Sequence, residues 1–294
     1  MWLQLICQST KAFEADISEA AENMGAASIT LSDAADVPVL EPLPNETPLW
    51  DEIIITLLFR EEQSASLEAL RKQLSDNKEQ LQISHIRQEI LKEQQWERVW
   101  MDDFHPMRFG DNLWIYPSWS EVPDDSSVKI KLDPGLAFGT GTHPTTAMCL
   151  EWLDGHPPID KQVIDFGCGS GILAIAAIKL GAKQVLATDI DPQALTATQN
   201  NQINNQITEQ QILCYPPEDM PAIKADLMLA NILCGPLVAL APELCASTKQ
   251  GGKLVLSGIL KEQQKILEET YTHYCHDIQF ATSGDWVRMT GTVS

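Results

Sequence analysis

Three glycines at alternate positions, Gly167, Gly169 and Gly171, mark the stretch of the sequence best suited to bind a ligand. A short apolar strand is predicted before them at residues 163–166. The alanine-rich apolar run that follows, residues 172–178, is typical of a buried helix. Glycine adopts turn angles that a Cβ forbids, so the backbone can pass close beneath a ligand. A strand, a glycine turn and a helix in this order predict the phosphate- or nucleoside-binding corner of a doubly wound sheet.

The spacing of these glycines narrows the choice of ligand. A dinucleotide-binding fingerprint requires Gly-x-Gly-x-x-Gly, and Ile172 stands where its last glycine would be. A second predicted strand, residues 184–188, leads to Asp189, whose carboxylate can accept hydrogen bonds from both hydroxyls of a ribose. Turn chemistry alone would explain the glycines but not the spaced acid. The pattern resembles the class I S-adenosylmethionine-dependent methyltransferases, whose first motif is a glycine-rich loop of this spacing, and it disfavours a nicotinamide dehydrogenase.

Two further segments carry polar groups where such a sheet binds ligands. Asn231 follows the predicted strand 226–230, at the edge where open α/β sheets hold their ligands. Residues 133–146 are rich in glycine and threonine and lead into a predicted helix, and a helix start offers free amides and hydroxyls to a polar ligand. Two alternatives stay open: Asn231 could only cap the next helix, and His143, beside Pro144, could have a purely structural role.

The elements around these residues predict an α/β fold with a Rossmann-like, mostly parallel seven-stranded sheet. The amide-rich stretch 199–211 is predicted to be a solvated helix end and loop without chemistry. The other predicted elements are strands at 113–119, 128–132, 211–215, 254–257, 278–281 and 286–290, helices at 145–153, 192–203, 237–245 and 262–274, and a turn at 251–252.

A small α+β domain is predicted ahead of this sheet. Strands at 2–7, 28–31, 50–59 and 81–90 alternate with helices at 12–24 and 65–74, in the order βαββαβ of a ferredoxin-like module. Residues 32–48 form an acidic, proline-rich loop. Nothing in this domain looks catalytic, so we expect it to recognise a partner, with a purely structural role as the alternative.

A charged helix, residues 91–104, is predicted to link the two domains. It carries Trp96 and Trp100 one turn apart, on one helix face, and Pro106 ends it. The predicted organisation is therefore a recognition domain at 1–90, a linker at 91–106 and a catalytic domain at 107–294.

Composition limits the partners of the chain. Its 294 residues include 20 Lys and Arg and 41 Asp and Glu, which give a formal net charge of −21. Such a charge repels a phosphate backbone and attracts basic partners, so no direct nucleic-acid binding is expected. Seven scattered cysteines without a Cys-x-x-Cys pair indicate a reducing cytoplasm. No apolar run is long enough for a membrane span, and the isolated cluster 273–276 predicts no metal site.

Four segments together resemble one family, the bacterial ribosomal protein L-eleven methyltransferases (PrmA). They are residues 138–146 (Phe-Gly-Thr-Gly-Thr-His-Pro-Thr-Thr), 165–171, 189–192 and 230–233. The resemblance covers nearly the whole chain and implies a ferredoxin-like recognition domain joined by a flexible helix to a methyltransferase domain. It further implies that S-adenosylmethionine is used to methylate lysine side chains and the N-terminal α-amine of that basic ribosomal protein.

Site residues follow from the same resemblance. By position, Thr146, Gly167, Asp189 and Asn231 would contact the cofactor, and Cys234 stands where alanine is expected. We further expect Asn231 to act as the catalytic residue by accepting a hydrogen bond from the amine. Many amino-directed methyltransferases continue here with Pro-Pro-aromatic, and the absence of that motif argues against a planar, adenine-type substrate. No strong base is apparent, so the proton is expected to leave through solvent.

Two alternatives to this function stay open on the sequence alone. The substrate could be another protein or a small-molecule amine. The chain could also be a non-catalytic, cofactor-binding regulatory protein. We expect a monomer.

Overall fold

The computed structural model describes residues 2–35, 49–91, 105–133 and 143–294. The chain divides into two compact units, residues 1–99 and 100–294. Most of the predicted loop 32–48, the linker helix with Trp96 and Trp100, and residues 134–142 of the glycine- and threonine-rich segment lie outside the described residues. The predicted domain boundaries therefore stay predictions.

The N-terminal unit is a four-stranded antiparallel sheet with two helices, in the predicted order βαββαβ. Its sheet order is β2-β3-β1-β4. Its elements are β1 (Trp2–Thr10), α1 (Glu14–Asn23), β2 (Ser28–Asp33), β3 (Glu52–Arg60), α2 (Ser64–Asp76) and β4 (His85–Leu91). One face of β3 is fully buried, with Ile53, Ile55, Leu57 and Phe59 at alternate positions. β4 begins four residues later than predicted, because residues 77–82 form turns and Gln82 has a positive φ.

The second unit begins with a small sheet of three strands, β5 (Met107–Phe109), β6 (Leu113–Tyr116) and β7 (Val128–Lys131). The last two correspond to the strands predicted at 113–119 and 128–132, and they pair in parallel.

The second unit continues as the expected doubly wound sheet. Its order is β10-β9-β8-β11-β12-β14-β13; β14 pairs antiparallel with both β12 and β13, and the other pairs are parallel. This confirms the predicted fold class. The strands are β8 (Gln162–Phe166), β9 (Gln184–Thr188), β10 (Ile212–Tyr215), β11 (Ala225–Asn231), β12 (Thr248–Leu260), β13 (Cys275–Ser283) and β14 (Trp286–Val293). The helices are α3 (Pro144–Gly155), α4 (Ile172–Lys179), α5 (Pro192–Asn204), α6 (Cys234–Ala239), α7 (Ala241–Ala246) and α8 (Gln264–Tyr271).

Both faces of this sheet are covered, as parallel strands require. Along β11, Leu227 and Leu229 join a core with α3, α4 and the three-stranded sheet, while Met228 and Ala230 join a core with α6, α7 and α8. Continuous apolar strands in the sequence follow from this two-sided burial. Among the described residues, no helix is long and apolar enough to cross a bilayer.

Several predicted boundaries are wrong. The single helix at 237–245 is two short helices separated at Leu240, because Pro242 in the first turn of α7 provides no amide donor to continue the first helix. The predicted turn at 251–252 lies within β12, where the pairing with β11 shifts register. The helix predicted at 262–274 is a 3-10 turn (Lys261–Gln263) followed by α8.

Candidate functional site

A cavity of about 620 Å³ opens at the carboxyl ends of the central strands. Small-molecule sites commonly enclose ~300–1,000 Å³, so the space suits a ligand of nucleoside size or larger. The sequence predicted this edge from the glycine turn and the polar residues that follow each strand. Its walls include His143, Thr145, Gly167, Gly169, Asp189, Ile190, Asn231, Ile232, Leu233, Gly258 and Trp286.

The glycine turn has left-handed backbone angles at all three glycines, with φ of +77° at Gly167, +55° at Gly169 and +78° at Gly171. A Cβ is disfavoured at each of these angles. At Gly167 it would also collide with the side chain of Ile232. The Gly167 amide donates to the Thr188 carbonyl at 2.8 Å, which anchors the turn to the end of β9. The turn can therefore expose bare backbone to the cavity.

Asp189 lies on the cavity wall directly after β9. One of its carboxylate oxygens accepts from the Gly169 amide at 3.0 Å, and the other accepts from the Asp191 amide at 3.0 Å. Each carboxylate oxygen can accept a second hydrogen bond, so both remain able to receive ligand hydroxyls. These bonds tie the acid to the glycine turn.

Asn231 ends β11 and faces the same cavity. Its Nδ2 donates to Thr146 Oγ1 at 3.1 Å, and this bond fixes which way the amide points. Its Oδ1 is buried and has no hydrogen-bond partner among the described residues. The next helix, α6, has Leu233 at its N-cap and no side-chain cap, so Asn231 does not cap it. The cavity-lining residue Asn231 thus holds an acceptor that has no partner among the described residues and that a ligand donor would satisfy.

Thr146 lies behind this amide. It is fully buried in the first turn of α3 and is absent from the cavity wall, which Thr145 lines instead. Within this structure, Thr146 acts on the cavity through Asn231.

His143 both caps a helix and lines the cavity. Its Nδ1 lies 2.7 Å from Thr145 Oγ1 and caps the start of α3. Its ring packs edge-on against Trp286 with centroids 4.7 Å apart and lines the cavity. Partial burial lowers the pKa of His143, which favours the neutral imidazole.

Gly258 and Trp286 are among the wall residues that the sequence did not predict. Gly258 has φ of +88°, and the backbone of Ile232 packs against it closely enough that a Cβ would strike the Ile232 carbonyl. Trp286 begins β14, the strand next to β12, where it pairs with Leu260, two residues after this glycine. A lone glycine after an apolar strand is a signal for a bulge, and the pairing of β12 with β14 does shift register there.

The thiol of Cys234 belongs to the core rather than to the wall. The residue is buried at the start of α6 and packs in the cluster formed with α7 and α8. Replacement of the expected alanine therefore leaves the cavity surface unchanged.

Comparisons with known proteins agree with this geometry. The family model described as ribosomal protein L11 methyltransferase (PrmA) matches residues 1–294. A ribosomal protein L11 methyltransferase from Hahella chejuensis is 49% identical over 290 residues, covering 99% of this chain and 98% of the relative. One from Pseudoalteromonas atlantica is 48% identical over the same shares.

A solved structure of a ribosomal protein L11 methylase is also similar to this chain. The ribosomal protein L11 methylase of Lactobacillus delbrueckii subsp. bulgaricus is 34% identical, covers 65% of this chain and 100% of its own, and superposes with a TM-score of 0.59. The resemblance predicted from the four sequence segments is confirmed. The chain belongs to the ribosomal protein L11 methyltransferase family and is an S-adenosylmethionine-dependent methyltransferase.

Proposed function

We propose that this enzyme methylates amino groups of ribosomal protein L11, namely lysine side chains and the N-terminal α-amine. The observation that carries the proposal is the buried Oδ1 of Asn231, which has no partner in the part of the chain that the structure describes, on a residue that lines the cavity together with the glycine turn and Asp189. An amine is a hydrogen-bond donor, and this oxygen is an acceptor with no other partner among the described residues.

The residues of the cavity suit S-adenosylmethionine. Asp189 offers carboxylate oxygens to ribose hydroxyls, and Gly167 contributes backbone without a side chain to the cavity wall. Asn231, fixed by Thr146, completes the set of proposed cofactor contacts. When bound, the cofactor supplies an electrophilic methyl group on a sulfonium.

The amine must reach this methyl group in its neutral form. A lysine with an ordinary pKa of ~10.4 costs about 4.6 kcal/mol to deprotonate at neutral pH, whereas an α-amine costs about 1 kcal/mol. The protein positions and desolvates the amine and forms no covalent bond with it. In the proposal, Asn231 Oδ1 accepts one N–H and orients the nitrogen lone pair, and the proton leaves through solvent.

The N-terminal unit has the proposed role of recognising L11. The described residues that line the cavity all belong to the second unit. We assign recognition to residues 1–90, the linker to 91–106 and transfer to 107–294. The proposal also includes a cytoplasmic monomer without direct nucleic-acid contact, a picture supported by a ribosomal-protein substrate and a net charge of −21.

Intact-mass measurement of unmethylated L11, incubated with enzyme and S-adenosylmethionine, tests the proposal. We expect mass gains in steps of one methylene, and no gain with the Asp189→Ala variant, whose cofactor dissociation constant should rise strongly. Asn231→Ala should lower turnover even at saturating cofactor.

Two results would count against parts of this proposal. If L11 gained no mass while calorimetry still showed cofactor binding, the substrate would be another protein or a small-molecule amine. If Asn231→Ala retained both cofactor affinity and turnover, its orienting role would be wrong.

A further inference from the structure

Helix α5 presents a buried stripe of polar side chains to the rest of the domain. Thr198, Asn201, Gln202 and Asn205 follow the spacing i, i+3, i+4, i+7, which places them on one helix face. Thr198 is 0% exposed, Gln202 3% and Asn205 4%. The prediction that residues 199–211 are a solvated stretch is therefore wrong for this face of the helix, and the stripe occupies positions that apolar residues usually fill.

The first half of the stripe holds the glycine turn. Thr198 Oγ1 donates to the Gly169 carbonyl at 3.1 Å, and Asn201 Nδ2 donates to the Ser170 carbonyl at 2.9 Å. Thr198 also packs closely against Gly171, because a Cβ added to that glycine would lie 2.7 Å from Thr198 Cγ2. Two consecutive carbonyls of the turn are thus fixed on α5.

The second half of the stripe, Gln202 and Asn205, is hydrogen-bonded to other segments: the loop before β10, the start of β10, and β7. Gln202 Nε2 donates to the carbonyls of Thr208 at 2.6 Å and Ile212 at 3.3 Å. Asn205 and Lys131 of β7 exchange two hydrogen bonds of 2.7 and 2.8 Å. One helix face therefore contains residues bonded to the turn and comparable residues that do not touch it.

The hydrogen bonds of Thr198 and Asn201 matter more for the orientation of the glycine turn than for the stability of the fold. A buried polar group costs free energy unless it is hydrogen-bonded, and a well-fitting apolar pair can be nearly neutral in its place. A bonded hydroxyl or amide adds direction. Because the C=O and N–H of a trans peptide point in opposite directions, fixing the Gly169 carbonyl on α5 turns the following N–H to the other side of the turn.

The same helix is tied to the acid of the site at its other end. Asp191 caps α5 by accepting from the Gln193 amide at 2.8 Å, and its own amide donates to Asp189 Oδ1 at 3.0 Å. The carboxylate and the glycine turn are thereby attached to one rigid element, about two turns of helix apart.

We propose that Thr198 and Asn201 are positioning residues for the cofactor, which hold the glycine turn at the separation from Asp189 that S-adenosylmethionine requires. The inference rests on the proposed assignment of the turn and Asp189 to that cofactor. It gives the polar stripe a function that its burial alone does not need.

Calorimetric titration of S-adenosylmethionine into four variants of the full chain tests this inference, with thermal unfolding and steady-state kinetics measured in parallel. Thr198→Val keeps the shape but removes the hydroxyl, and Thr198→Ser restores it. Asn201→Ala is a second, independent loss at a position that is only half-buried, so it does not depend on the valine variant folding. Asn205→Ala is the matched control, since it removes the bonds to β7 and one bond to the Asn201 carbonyl within its own helix, and none to the glycine turn.

Loss of one hydrogen bond should raise the cofactor dissociation constant about 3- to 10-fold in Thr198→Val and in Asn201→Ala. The same factor should appear in the KM for the cofactor, with kcat nearly unchanged. Thr198→Ser should bind like the wild type. Asn205→Ala should lose thermal stability and keep its cofactor affinity.

Two outcomes would overturn the inference. One is unchanged affinity in Thr198→Val and Asn201→Ala while Asp189→Ala loses binding, which leaves the proposed function standing. The other is an equal loss of affinity in Asn205→Ala, which would make the stripe merely structural. A wild-type chain that fails to bind S-adenosylmethionine would contradict the proposed function and this inference together.

Discussion

Asp165 places a carboxyl group in the core directly before the glycine turn. The residue is 1% exposed; Oδ2 accepts from the Ala174 amide at 3.0 Å, and Oδ1 has no partner among the described residues. Burial raises the pKa of Asp165 to about 7, and the nearby charge of Asp189 adds to the rise, while the bond from Ala174 opposes it. This carboxyl is therefore a source of pH-dependent stability.

The sign of that dependence follows from proton counting. Between the unfolded pKa of 3.8 and the folded value of about 7, the folded chain keeps a proton that the unfolded chain has lost. Asp165 thus lowers the free energy of unfolding as pH rises through this window, by at most about 1.4 kcal/mol per pH unit. Above the folded pKa the penalty is constant.

Substitution of Asp165 by Asn should remove this contribution, because the amide does not titrate. Urea unfolding at about pH 5 and about pH 8 measures it. We expect the wild type to lose more stability than Asp165→Asn between the two values. Identical losses in both proteins would show that Asp165 is ionised throughout this range in the folded state.

At the scale of elements, the bulge in β12 shapes the cavity wall. Gly258, with φ of +88°, lets the turn after β11 pack directly on this strand, and that turn begins with Ile232, directly after Asn231. Bulges commonly redirect side chains beside functional sites. A Cβ at Gly258 would have to displace the Ile232 backbone.

Gly258→Ala should therefore lower turnover strongly, by about 10²-fold if the displacement of Asn231 approaches 1 Å. Gly251→Ala is a matched control in the same strand. Gly251 also has a positive φ of +75°, so it shares the backbone strain, but nothing lies within 4 Å of its Cβ position. Kinetics of both variants with L11 separate strain from displacement, and equal activity in the two would rule out the close approach as the cause.

Local patterns predicted the elements whose signals lie within one stretch of chain. The glycine turn, Asp189 and the position of Asn231 at a strand end were predicted this way. Gly258 was missed because its requirement comes from Ile232, and these residues meet only in the folded sheet. Asn205 was misassigned for the same reason, since burial of its amide depends on Lys131, 74 residues away in sequence.

At the scale of the whole molecule, the net charge of −21 should assist the encounter with a basic protein substrate. Screening shortens the reach of that attraction from about 10 Å at 0.1 M salt to about 3 Å at 1 M. We expect the KM for L11 to rise with salt over this range while kcat changes little. Steady-state kinetics at several salt concentrations measure this. A KM that does not change with salt would show that electrostatic attraction does not contribute to the binding of L11.

All seven cysteines of the chain are free thiols, and only Cys214 is more than marginally accessible. Burial raises the pKa of Cys7, Cys149, Cys168 and Cys214, so little reactive thiolate forms at these four; a hydrogen bond with Cys245 lowers the pKa of Cys275, but that thiol is buried. A cysteine introduced on the surface of each unit would consequently react with a maleimide dye ahead of the native thiols. The natural sequence therefore allows dye pairs to be attached selectively, one on each unit, so that fluorescence energy transfer between the two units can be measured during catalysis.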